Sequence, residues 1–409
     1  MDIKQEAALY HLEKKGKIEI SNKAEINNMR DLTLAYTPGV AGPCELIAQD
    51  VDKVYDYTFK NNSVAVISDG TRVLGLGNIG PEAALPVMEG KAALFKRFAG
   101  VDAIPICIRV ESAEEFIAVA KAVSPTFGGI NLEDISMPNC FDVEDTLKEE
   151  LNIPVFHDDQ HGTAVVAAAG VIGGLRLVGK RIEDVKVVLN GAGAAGTAIA
   201  KLLLSMGVKD LAVCNQSGLL NVDNPRLNRV QRELAEIINP EKRVSNLKEV
   251  SVGADVLLGV SAAGAFDFEL LNSLAKDSIV FAMANPVPET SYEVATQAGV
   301  RVFGTGKSGD PNQINNVLVF PGMFRGALDV RAREINETMK VAAVYAIANI
   351  IPESELKEGY IIPDPFDERV APAVAAAVAK AAIDTNVARI IMDPEEVREE
   401  CLRRVKASI

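Results

Sequence analysis

The sequence predicts an α/β protein, with a doubly wound parallel sheet domain preceded by a smaller N-terminal α/β domain. Three observations carry this. From Val185 onward short β-branched runs alternate with helical segments: VKVVLN, LAVCN, ADVLLGVS, SIVFAMANP and VRVFGTG. Such alternation builds a parallel sheet covered on both faces. Upstream, SVAVISDG and AIPICIRV read as strands bounded by Gly, Asn and Pro, with GKAALFKRF helical between them. Finally, 409 residues exceed what one hydrophobic core usually serves.

The elements follow in order. MDIKQEAALYHLEKKGK reads as a charged amphipathic helix and not as a signal peptide. NIPVFHDD is a further short strand, and GTAVVAAAGVIGGLRLVG after it a buried helix. The tail is helical: AREINETMKVAAVYAIANII, the Ala-rich APAVAAAVAKAAI, then a charged last helix. No repeat or low-complexity linker marks a boundary, so the domains are placed at 1–160 and 161–385, with 386–409 a helical tail. The longest apolar runs stop at Arg176 and Lys380, short of the ~18 residues of a membrane span.

At 48% apolar and 24% charged the composition is ordinary for a soluble globular chain. A net charge of −14 argues against nucleic acid and against anionic membranes as partners. It leaves room for an anionic substrate, because a local cluster of Lys, Arg and metal can override the global sign. Cys44, Cys107, Cys140, Cys214 and Cys401 are scattered without a CxxC pair. Cys107 and Cys214 sit in apolar strand-like runs and read as core residues. A reduced, cytoplasmic setting is expected.

Gly191, Gly193 and Gly196 in NGAGAAG form G-x-G-x-x-G directly after a strand and at the start of an apolar helix. That context makes the motif a dinucleotide fingerprint and the domain Rossmann-type. The first glycine turns the chain, the second lets backbone approach a pyrophosphate, and the third packs helix on strand. Ala192, Ala194 and Ala195 complete the loop. An acid should close the second strand to hold the ribose of NAD, but Asn215 stands there. NAD and NADP both stay open.

Glu133-Asp134 in NLEDI and Asp158-Asp159 in VFHDD each end an apolar strand-like run. Carboxylates at neighbouring strand ends can converge, and hard oxygen donors suit Mg²⁺ or Mn²⁺. Adjacent residues face opposite sides of a strand, so each pair should divide between a metal and its surroundings. Local turn or cap chemistry is the competing explanation. His157 and His161 lack the fixed helical face of a paired-histidine metal motif and read as neighbours. The run DVEDTLKEEL reads as a solvated helix face.

Taken together, LAYTPGVA (34–41), SDGTRVLGLGNIG (68–80), EGKAALF (89–95), NLED, FHDDQHGTA, GAGAAG, ANPVPE (284–289) and PNQINNVLVFPG (311–322) resemble the short form of the malic enzyme family. They run in family order over roughly residues 20 to 390, nearly the whole chain. The resemblance implies oxidative decarboxylation of (S)-malate to pyruvate and CO₂, with NAD or NADP, Mg²⁺ or Mn²⁺, and a homodimer. It implies Tyr36 as catalytic acid, Lys91 as base and Asp158 as the lysine's neighbour. Glu133, Asp134 and Asp159 would ligate the ion. Arg72, Asn285 and Asn316 would hold the substrate, Asn285 also touching the cofactor.

Without the resemblance, Tyr36 could be a packed aromatic, Lys91 a solvated helix residue and Arg72 a surface ion pair. Lys307 and Asp310 depart from the arginine and tyrosine that relatives often show. For Lys91 to act as a base its pKa must fall from ~10.4, and partial burial and a nearby cation push that way. Three rival readings remain: a malolactic-type enzyme with retained cofactor, a non-catalytic malate or dinucleotide sensor, and a metal-free Rossmann dehydrogenase. The last leaves the four acids unexplained.

Overall fold

The computed structural model describes residues 2–73 and 75–407. Two sheets organise it. The first has four parallel strands, β1 (Ser63–Ser68), β2 (Asp102–Cys107), β3 (Gly129–Leu132) and β4 (Val155–His157), in the order β2-β1-β3-β4. The second comprises β5 (Lys186–Asn190), β6 (Asp210–Asn215), β7 (Gly218–Leu219), β8 (Val256–Gly259), β9 (Ile279–Ala282) and β10 (Val302–Thr305). Its order is β10-β9-β8-β5-β6-β7, parallel apart from the short edge strand β7.

Strand order in the second sheet reverses at β5. From there the chain runs outward to β6, then returns to β8 on the other side. A crevice opens at such a switch point, beyond the carboxyl ends of the strands, and ligands of open parallel sheets bind there. The strands are near-continuous apolar runs because helices cover both faces: every residue of β8, β9 and β10 is buried.

One core joins the two sheets. It holds Val64, Phe95 and Phe156 from the first half together with Val187 and Phe281 from the second. Between them lies the Thr163–Val178 helix, buried at every position from Ala164 to Leu175. The preceding turn, Asp158–Gly162, is itself helical. The continuous run Asp158–Val178 therefore reaches 21 residues and is long and apolar enough to cross a membrane, with 72% of its apolar window buried in the protein. This corrects the expectation that apolar runs stop short of that length: the polar turn adds a helical turn the sequence did not advertise. Its burial marks it as a core helix.

The N-terminal segment is different. The helices Ile3–Lys14, Met29–Ala35 and Ala41–Gln49 bury no residue, and Leu12, Ile20, Met29, Leu34 and Tyr36 are exposed.

Candidate active site

The register of β3 and β4 builds the centre of the site. Leu132 pairs with His157, so the next residues, Glu133-Asp134 and Asp158-Asp159, emerge side by side at two adjacent strand ends. Asp134 takes φ +56, which bends the chain away from the sheet. Its backbone N–H donates to Asp159 Oδ2 at 2.8 Å, and its carbonyl accepts from the Arg72 N–H at 3.0 Å. The Gly80–Ala99 helix brings Lys91 beneath the acids. Its ammonium lies 2.6 Å from Asp158 Oδ2, 3.0 Å from Glu133 Oε1 and 4.2 Å from the centre of the Phe320 ring. Asn316 Nδ2 donates to Asp158 Oδ2 at 3.0 Å.

Three carboxylates, Asp158, Glu133 and Asp159, thus act on one ammonium. Burial raises the Glu133 carboxyl well above the usual range; Lys91 opposes this, while Asp159, Asp158 and Asp134 add repulsion. Lys91 departs from expectation. Burial pushes its ammonium down, as anticipated, but Asp158 and Glu133 outweigh burial and hold it above the ordinary lysine range.

A cavity of about 470 Å³ connects this cluster to the second sheet. Arg72, Glu133, Asp134 and Asp159 line one side; Gly193, Ala194, Ala195 and Gly196 line the other, with Asn285 and Asn316 at its wall. In the glycine loop Gly191 has φ +121, and a Cβ on Gly196 would lie 1.8 Å from the Gly191 carbonyl oxygen. The turn and the close packing both require glycine. Ala192 is buried under the loop, where its carbonyl accepts from Gln231 Nε2 at 2.6 Å. Asn215 ends β6, and its Oδ1 accepts from the Ser217 N–H at 2.7 Å, a turn contact outside the cavity lining. Tyr36, 66% exposed, also lies outside that lining. A slightly larger cavity, about 530 Å³, lies against the last helix with Arg325 and Arg403 in its wall and none of the fingerprint residues.

Family models match both halves of the chain: residues 15–115 and 109–148 match the malic enzyme N-terminal domain, and 160–383 the malic enzyme NAD binding domain. The chain belongs to the malic enzyme family. It is 58% identical to the bifunctional malic/malolactic enzyme of Bacillus subtilis (strain 168) over 98% of both chains. It is 56% identical to the NAD-dependent malic enzyme of Geobacillus stearothermophilus, over 91% of this chain and 78% of that one. The crystal structure of malic enzyme from Pyrococcus horikoshii Ot3 superposes with a TM-score of 0.94 at 46% identity, covering 99% of this chain and 96% of that one. The fold class expected from the sequence is the malic enzyme one: a Rossmann-type NAD-binding domain behind an N-terminal α/β domain.

The donor chemistry of the site fits a divalent cation. Glu133, Asp134 and Asp159 offer hard oxygens to one cavity and carry negative charge that Lys91 alone does not balance. Among the described residues no three His, Cys, Asp or Glu side chains are grouped as a finished metal cluster. Glu133 turns to Lys91 instead, and Asp159 to the Asp134 N–H.

The histidines stand aside. His157 is buried with Nε2 3.5 Å from Asp159 Oδ2. His161 points away from the cavity to Glu144 at 2.9 Å and Lys340 at 3.2 Å. Burial pushes its pKa down to about 4 against the pull of Glu144, so it is neutral near pH 7.

Two residues escaped sequence reasoning. Glu144 belongs to the run read as a solvated face, and the structure corrects that reading: its carboxylate is buried and accepts from the His157 N–H at 3.2 Å and Gln160 Nε2 at 3.0 Å. The helical period carried the signal, since Cys140, Val143, Glu144 and Leu147 share the inward face of Asn139–Glu150. Glu289, in the ANPVPE segment, is fully buried and accepts from the N–H groups of Ser261 (2.8 Å) and Ala284 (2.9 Å). It thereby ties together the loops after β8 and β9 that border the cavity.

Proposed function

We propose that this protein oxidises (S)-malate with NAD⁺ or NADP⁺ and releases CO₂, yielding pyruvate and the reduced nicotinamide. The observation that carries it is a single cavity whose walls are the acidic cluster over Lys91 and the dinucleotide glycine loop. Hydride donor and acceptor can meet only where these two surfaces face each other.

Arg72, exposed at the cavity, offers its guanidinium fork to a substrate carboxylate, and Asn285 and Asn316 orient the dicarboxylate by hydrogen bonds. Lys91 takes the C2 hydroxyl proton as hydride leaves C2 for the nicotinamide. Its own proton has a buried acceptor in reach, Asp158 Oδ2 at 2.6 Å. A divalent cation held by Glu133, Asp134 and Asp159 would polarise the substrate's C2 oxygen and draw electrons toward it. The C3–C4 bond of the oxaloacetate then breaks, CO₂ departs, and C3 of the resulting enolate takes a proton, the role the family resemblance gives to Tyr36. Exposed Tyr36, together with the exposed apolar side chains Leu12, Ile20, Met29 and Leu34 of the N-terminal segment, supports a homodimer in which a second copy covers that face. Asn215, standing in place of an acid, does not itself repel a 2′-phosphate.

A malolactic reaction is the second reading, favoured by the 58% identical bifunctional relative. There the hydride taken from malate returns to pyruvate, giving lactate and no net reduced nicotinamide. Initial rates with malate and Mn²⁺, NAD against NADP, with and without EDTA, test both. Malate-dependent reduced nicotinamide that EDTA abolishes is the expected result. Lactate without net cofactor reduction selects the second reading, and EDTA-insensitive turnover overturns the metal-dependent site.

A further inference from the structure

We infer that Glu144 is a positioning residue for the reaction, whose buried carboxylate holds the Asp158–Gly162 turn from behind and so fixes where Asp159 presents its oxygens to the cavity. The inference rests on the reading of Asp159 as a metal ligand.

The geometry is specific to that turn. The three donors that Glu144 accepts from the strand-to-turn segment, the His157 N–H, Gln160 Nε2 and His161 Nε2, bracket Asp158 and Asp159 on both sides. Lys148, one turn along the same helix, pairs with the carboxylate at 2.6 Å. His161 in turn accepts at Nδ1 from Lys340, which the Glu337–Ala348 helix supplies from the other half of the chain and which also pairs with Glu337. The turn is therefore gripped between two elements that do not themselves line the site cavity.

Charge strengthens the grip. A buried carboxylate with several donors forms charge-assisted hydrogen bonds, and its removal leaves the buried His157 N–H and Gln160 amide without this acceptor. Burial alone would raise the Glu144 carboxyl, but the hydrogen bond from neutral His161 and the charge of Lys148 hold it below the usual range. Glu144 faces a separate cavity of about 180 Å³ and not the substrate, so its effect on the reaction must pass through the turn. A carboxylate displaced by a fraction of an ångström is enough to disturb a metal site or a hydride geometry.

The test uses the full-length protein and reads Mn²⁺ binding directly, by titration followed with electron paramagnetic resonance. Glu144→Gln keeps the shape but turns an amide NH₂ toward donors that need an acceptor. Mn²⁺ affinity and kcat are each expected to fall about 10- to 100-fold, the usual effect of removing a partner behind a metal ligand. NADH binding, read by fluorescence, and KM for the dinucleotide should stay near wild type. Gln160→Ala removes one bond of the clamp and should shift Mn²⁺ affinity in the same direction by less; it decides the matter should Glu144→Gln fail to fold. Wild-type Mn²⁺ affinity in the folded variants, or parallel loss of Mn²⁺ and NADH binding, overturns the inference. Asp159→Asn separates the two levels. If it binds Mn²⁺ normally, the ligand reading itself fails; if it loses Mn²⁺ while the clamp variants do not, only the positioning role fails.

Discussion

The two ends of the four-stranded sheet each bury a lysine, and the two have opposite fates. At the amino end Lys60, 7% exposed, donates to the carbonyl oxygens of Ser124 (3.1 Å), Pro125 (2.9 Å) and Phe127 (2.6 Å). Burial pushes its pKa down to about 8, and the charge of Arg389 adds to the push. At the carboxyl end burial also pushes Lys91 down, yet Asp158 and Glu133 carry it above the ordinary range. Dipoles solvate a buried ammonium without cancelling its desolvation; full negative charges cancel it and more. The carboxyl end brings Glu133 and Asp158 to Lys91 from two adjacent strand ends, whereas at the amino end Lys60 meets three backbone carbonyls and the face of the Tyr55 ring, 5.4 Å away.

The largest expected effect tests the charged end. Lys91→Ala should lower kcat for malate oxidation by about 10²- to 10⁴-fold, the range of a lost acid–base group, with NADH binding by fluorescence nearly unchanged. Loss of both would mean that Lys91 holds the fold and not the chemistry. The next effect has the reverse signature. In Gly196→Ala the new Cβ meets the Gly191 carbonyl 1.8 Å away, and backbone must shift. Dinucleotide KM should rise about tenfold or more, as when a hydrogen bond to a charged phosphate is lost, while Mn²⁺ binding holds. Should Gly196→Ala weaken Mn²⁺ and dinucleotide equally, the two walls of the cavity would be one cooperative unit.

Much of this was legible in the chain. Local patterns sufficed for most of the strands, the fingerprint and its helix, because each is a contiguous signal of period, turn residue and burial; the two-residue edge strand β7 is too short to leave one. The acidic pairs were legible as strand ends, and their meeting followed once β3 and β4 proved to be neighbours. What the sequence concealed depends on distant partners. The direction of the Lys91 shift is set by Glu133 and Asp158, 42 and 67 residues away in sequence. Glu144 hid in an acidic run whose charge suggested solvent, although its helical phase pointed inward. The place of Tyr36 was not legible either: its motif suggests a catalytic acid, but its helix buries nothing and leaves it at the surface.

The smallest effect belongs to Lys60 and needs its sign worked out. In the folded protein the group titrates near 8, against 10.5 as the ordinary value. Below pH 8 it is charged in both states, and the desolvation penalty is present in full. Between 8 and 10.5 the unfolded chain binds more protons than the folded one, so stability rises with pH across that window. Above 10.5 both states are neutral and the gain is complete. A Lys60→Met variant has no such titration. The difference in Tm between wild type and Lys60→Met, followed from pH 7 to 10.5, should therefore move steadily in favour of wild type above pH 8. A flat difference would show that the three carbonyls fully offset the desolvation of the ammonium, and the contrast between the two ends of the sheet would then be smaller than the two opposite shifts imply.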